Sequence, residues 1–82
     1  MEKSVFTREY EILVELLREV RESARVTQVE LAERIEENQV FVSRIERGES
    51  RLDVVQLRTI CIALGLTLPA FIRKYEKRLG GE

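Results

Sequence analysis

The sequence predicts an all-α protein, one five-helix domain spanning residues 1–82. Three observations lead there. Apolar residues recur at three-to-four spacing along five separate stretches. Residues suited to starting a helix (Thr27, Asn38, Asp53, Thr67) head four of those stretches. The chain holds one proline and four glycines, so its connections are short.

The elements follow in order. A first helix from about Thr7 to Ala24 sets Tyr10, Leu13, Leu16, Leu17, Val20 and Ala24 along one face. Thr27 with Glu30 three residues on forms a capping box, flanked by Val26 and Leu31 at the staple positions. The second helix runs from Gln28 to about Ile35, with Val29, Leu31, Ala32 and Ile35 inward. Asn38 caps a third helix, Gln39 to Arg47, whose inward positions are Phe41, Val42 and Ile45, and Gly48 closes it. The fourth opens at Asp53, with Gln56 three on and Leu52 and Leu57 as staple, and stops at Leu64 before Gly65. Cys61, between Ile60 and Ile62, reads as a buried, inert thiol. Thr67 caps the fifth helix, where Pro69 falls in the first turn and Leu66 and Phe71 form a staple. That helix carries Leu68, Phe71, Ile72, Tyr75 and Leu79 toward a frayed, glycine-rich tail.

Only a few residues separate the second and third helices. That spacing, over residues 27–48, suits a helix-turn-helix, which lays its second helix in the DNA major groove. Thr27-Gln28, Leu31-Ala32, Ile35, Val42-Ser43, Ile45-Glu46 and Gly48 fall in register without a gap with the pattern of the Xre-type helix-turn-helix family, the phage repressor and Cro-like regulators, and the segment resembles that family. The flanks agree, Leu17-Arg18 through Arg21 before the motif and Leu57 through Ala63-Leu64-Gly65 after it, so the resemblance covers roughly residues 10 to 72. Three positions depart: Arg25 and Glu36 stand where the family has turn glycines, and Glu37 where an apolar residue is common. Either these turns hold a side chain at positive φ, at a cost of about 1 kcal/mol, or they are shaped differently from the family's. The resemblance also implies an ion pair between Arg21 and Glu46, tying the first helix to the recognition helix.

Composition bounds the function. A lone cysteine excludes an intrachain disulfide and suits a reducing compartment. No N-terminal stretch reads as a signal peptide and no apolar run reaches membrane-spanning length, so the expected location is cytoplasmic. With no histidine, no Gly-rich phosphate loop and no Cys/His cluster, neither catalysis nor a metal or other cofactor is expected. The net charge is −1, with −1, −2 and +2 over residues 1–26, 27–52 and 53–82, so the motif is slightly acidic where DNA-binding domains are often basic. Glu30 and Glu33 lie in its first helix, while Arg44, Arg47 and Arg51 cluster at the end of its second helix and in the loop after it, where a locally positive surface can still meet phosphates.

Candidate DNA contacts follow from position. Gln28 opens the leading motif helix, where free amides favour a phosphate, or it braces the motif. Asn38 and Gln39 open the recognition helix, and the Gln39 amide can pair bidentately with adenine. Val40 points outward, either onto a thymine methyl or as an isolated surface apolar. Ser43 and Arg44 continue that face, Arg44 reaching guanine or a phosphate, while Arg47 and Arg51 position the backbone. Phe71, Ile72, Tyr75 and Leu79 carry more apolar surface than one small core needs, so helix five and the tail, 67–82, are expected to form a dimer interface. The reading is a transcriptional regulator, a repressor that binds double-stranded DNA as a homodimer on an inverted repeat. An antitoxin with a toxin partner, a restriction–modification controller and a protein–protein interaction module that has lost DNA remain open beside it.

Overall fold

The computed structural model describes residues 7–80 and contains five helices, with no strand among those residues. They are α1 (Arg8–Ser23), α2 (Gln28–Arg34), α3 (Gln39–Glu46), α4 (Val54–Ala63) and α5 (Leu68–Arg78). The outermost residues of the expected 1–82 domain, including Gly81 and Glu82 of the tail, lie outside the described residues.

Every helix begins the same way. Thr7, Thr27, Asn38, Asp53 and Thr67 take extended backbone angles, and each side-chain oxygen accepts a hydrogen bond from the amide three residues on. Both expected capping boxes, Thr27 with Glu30 and Asp53 with Gln56, are closed in both directions. Each such cap is worth about 1 kcal/mol.

The first four helices also end alike. At Arg25, Glu36, Gly48 and Gly65 the backbone turns left-handed, with φ of 61°, 61°, 78° and 90°. The amide of each reaches back three residues and the next amide reaches back five, as in Glu36 to Glu33 (3.2 Å) and Glu37 to Ala32 (2.8 Å). Both bonds satisfy carbonyls that a helix end leaves orphaned. Of the two turn shapes open at Glu36, the one at positive φ is present, and Arg25 repeats it. Two side chains thus stand in turns that glycine occupies at lower cost.

The core gathers Leu16 and Leu17 from α1, Leu31 and Ala32 from α2, Val42 and Ile45 from α3, Ile60 and Cys61 from α4, and Phe71 from α5. Three expectations need correction. Phe71, assigned to a dimer surface, is 0% exposed and fills the centre of the monomer's own core. Val29, expected inward, is 52% exposed, because Leu31, Ala32 and Ile35 set the packed face of this short helix and Val29 falls about 110° from it. Ala24 is exposed and serves as the C-cap of α1 rather than a core residue.

Polar ties fix the helices against one another. The Tyr10 hydroxyl donates to the Ser50 carbonyl (3.2 Å) and accepts from the Leu52 amide (3.0 Å), pinning the α3–α4 loop to α1. The Arg51 guanidinium lies 5.1 Å from the centroid of the same ring. Arg34 donates to the Ala63 carbonyl (2.8 Å), joining the end of α2 to the end of α4. Tyr75 donates to the Glu9 carbonyl (2.9 Å) and Arg78 pairs with Glu19, clamping α5 along α1. No single helix among the described residues is long and apolar enough to cross a membrane.

Candidate nucleic-acid interface

The site is built on α2, the turn at Glu36 and α3. Asn38 fixes where α3 begins: its side-chain Oδ1 accepts from the Phe41 amide (2.9 Å), so its contribution is that of a cap. Val42 and Ile45 anchor α3 in the core and Phe41 is partly buried beside them, which turns Gln39, Val40 and Arg44 to the exterior. Val40 is 55% exposed, and Ser43 is half-buried between it and the end of the helix.

A continuous polar chain joins that outer face to the interior. Arg21 and Glu46 form the expected pair, bidentate at 2.6 and 3.0 Å, with side chains only 9% and 6% exposed. The remaining Arg21 nitrogen donates to the Val26 carbonyl (2.8 Å). The adjacent Glu46 carboxylate holds the Arg21 guanidinium even more firmly in its charged form. Gln28 donates from Nε2 to Glu46 Oε1 (2.9 Å), and Gln39 Nε2 donates to Gln28 Oε1 (2.7 Å). No buried side-chain polar atom among the described residues is left without a partner. The bracing geometry weighed for Gln28 is present. It leaves the exposed Gln39 one amide hydrogen and its Oε1 uncommitted, the donor and acceptor that an adenine edge requires.

The arginines differ from one another. Among the described residues, the Arg44 guanidinium has no hydrogen-bond partner and stands exposed on α3. Arg47, the C-cap of α3, is held by Glu49 through two bonds of 2.9 and 3.1 Å and donates to the Ser43 hydroxyl. Glu49 is pushed below the usual carboxylate range by the hydrogen bonds from Arg47 and, more weakly, by the charge on Arg44. Arg51 is packed over Tyr10. The three cations therefore lie in three different local settings.

Sequence reasoning did not single out Glu49, the tie made by the Tyr10 hydroxyl or the Gln28–Gln39 bond. Glu49 follows Arg47 by two residues, and the two meet only because Gly48 reverses the chain between them. On α5, Ile72 and Tyr75 are partly buried against the monomer's own core and Leu79 is half-buried at the C-cap, so little of that helix's apolar surface is spare. Among the described residues no acidic or cysteine side chains converge as metal ligands would.

Comparison with known proteins places this geometry. A helix-turn-helix family model matches residues 17–71. An XRE-family-like protein from Pseudomonas syringae pv. tomato is 40% identical, with a TM-score of 0.80 over 85% of this chain and 85% of that one. The clp gene regulator ClgR from Corynebacterium glutamicum is 28% identical, with a TM-score of 0.76 over 87% of this chain and 91% of that one. A point mutant of the restriction-modification controller protein C.Esp1396I shares the fold at 22% identity, with a TM-score of 0.82 over 89% of this chain and 92% of that one. No curated protein sequence matches the chain.

Proposed function

The chain belongs to the XRE-type helix-turn-helix family of DNA-binding transcriptional regulators, and from that premise we propose that it acts as a homodimer on an inverted-repeat operator and represses by occupying it. The observation that carries this reading is the outer face of α3, Gln39, Val40, Ser43 and Arg44, anchored through Gln28 and Glu46 to Arg21 in the interior. A reading helix must be held rigidly if its side chains are to meet base edges, and a buried, fully satisfied polar chain provides that hold.

In this reading α3 enters the major groove with Gln39 on an adenine and Val40 beside a thymine methyl. Gln28 stands at the N-terminus of α2, where free amides face a phosphate. Arg44, Arg47 and Arg51 supply the remaining phosphate contacts. The molecule measures 34 × 28 × 20 Å, enough for one half-site. Two copies are needed to place recognition helices in successive major grooves, about 34 Å apart, so half-sites recur about 10 base pairs centre to centre.

The experiment is selection of a duplex from a random pool, then titration of the selected and a scrambled duplex across a salt series. Gln39→Ala should cost about 1–3 kcal/mol per half-site on the selected duplex and little on the scrambled one. Arg47→Ala should weaken both alike, because a phosphate contact carries no sequence information. Six arginines per dimer give a slope of log affinity on log salt near about −5, at about 0.9 per phosphate. A flat salt response, or equal loss on both duplexes for Gln39→Ala, rejects the assignment.

A further inference from the structure

Helix α4 is apolar on two sides. Its inner side, Leu57, Ile60 and Cys61, is buried in the core. Its outer side carries Val55, Arg58, Thr59 and Ile62, the i, i+3, i+4, i+7 series of a second packing stripe. Val54, Val55 and Ile62 are 63%, 69% and 54% exposed. The other large apolar side chains so exposed among the described residues, Val29 and Val40, belong to the motif helices. An apolar stripe on a helix normally packs against another surface, and a monomer leaves Val54, Val55 and Ile62 on the outer side of α4 uncovered.

Two features say what covers it. The first is shape. Beside the stripe lies a depression of about 170 Å³, lined by Ile35, Phe41 and Ile60 together with Val55, Gln56, Thr59 and Glu37. Small-molecule sites begin near about 300 Å³, so this one suits a single aliphatic side chain. One surface thus holds both projecting valines and a recess for one, which is the self-complementarity that a two-fold contact requires. The second feature is charge. At 100° per residue Arg58 flanks the stripe on one side, and the Glu37 depression lies on the Thr59 side. Neither charge has a hydrogen-bond partner among the described residues. A two-fold axis running along α4 sets each Arg58 against the partner's Glu37.

We propose that the outer face of α4 docks a second copy of this chain, the two α4 helices packing side by side around a two-fold axis. The proposal rests on the dimeric reading above and moves its surface from α5 to α4.

Sedimentation of the full chain tests it, using the wild type, Val55→Asp, Ile62→Asp, Leu79→Asp, Arg58→Glu and the double reversal Arg58→Glu with Glu37→Arg. The wild type and Leu79→Asp should be dimeric at tens of micromolar. Val55→Asp and Ile62→Asp should raise the dimer dissociation constant by about tenfold or more with unchanged circular dichroism, since both side chains are exposed in the monomer. Arg58→Glu should weaken the dimer and the double reversal should restore it. A monomeric wild type overturns the proposal, as does a dimer that survives Val55→Asp and Ile62→Asp but is lost with Leu79→Asp. A double reversal that stays as weak as Arg58→Glu also overturns it, because the axis then does not run along α4. Binding of each variant to random duplex separates the two readings. Failure of a dimeric wild type to bind DNA rejects the regulator and leaves the α4 contact standing, whereas a monomer that binds random duplex rejects the contact alone.

Discussion

Removing Arg21 should be among the most destructive single changes available to this chain. The Arg21→Met variant keeps most of the side-chain volume but deletes three hydrogen bonds, two to Glu46 and one to the Val26 carbonyl. It strands a carboxylate whose side chain is 6% exposed with only the Gln28 amide for company. Breaking a buried pair from one side costs about 3–5 kcal/mol. A chain of this size has a total stability of about 4–12 kcal/mol, and each kcal/mol moves its melting temperature by about 4–8 °C. The expected fall is therefore on the order of 12 °C at the least. Arg18→Met is the control: Arg18 pairs with Glu22 at 3.0 Å on the surface, with side chains 62% and 52% exposed. Such helical surface pairs contribute about 0.5 kcal/mol or less. The assay is thermal unfolding followed by circular dichroism, with the double variant Arg21→Met and Glu46→Leu as a third sample. Removing both charges should recover much of the loss, since no ion is then left buried without a counter-charge. If Arg21→Met and Arg18→Met melt within about 2 °C of each other, the desolvated pair does not carry the weight given to it here.

Three further outcomes are expected. Glu36→Gly should stabilise the fold by about 0.5–1 kcal/mol without changing its spectrum, because φ at that turn is 61°, and chemical denaturation reads the sign. Cys61, fully enclosed and with its thiol pushed up to about 11 by burial, should react with a thiol reagent at pH 8 only as fast as the protein unfolds, so stopped-flow labelling should track the unfolding rate. Glu49→Gln should tighten binding to any duplex by a few fold, because a phosphate then need not displace the carboxylate from Arg47, and the gain should shrink as salt rises.

Sequence and structure agree best where a feature is local. The caps at Thr27, Asn38, Asp53 and Thr67 were legible because each is a side chain bonding an amide three residues away, and the helix boundaries came with them. The motif was legible for the same reason, and the Arg21–Glu46 pair only through family resemblance, since twenty-five residues separate its partners. What stayed hidden depends on how faces are shared in three dimensions. Phe71 and Ile72 are adjacent apolar residues on α5, and only the packing of that helix against α1 and α4 decides that Phe71 is enclosed while Ile72 is partly open. The spare apolar face lay on α4, where apolar residues fall on both the inner and the outer side, so no single-faced periodicity separates the packed side from the open one.

The bond from Gln39 to Gln28 bears on anyone who would redirect this protein to a new operator. Exchanging Gln39 for another base-reading residue also removes the donor to Gln28 Oε1, and Gln28 is what holds Glu46 Oε1 from the outside. The alphabet available at position 39 is thus narrowed to side chains that speak to a base and to Gln28 together. Retargeting should proceed as paired libraries at positions 28 and 39, and winners should emerge as couples whose members fail when transplanted singly.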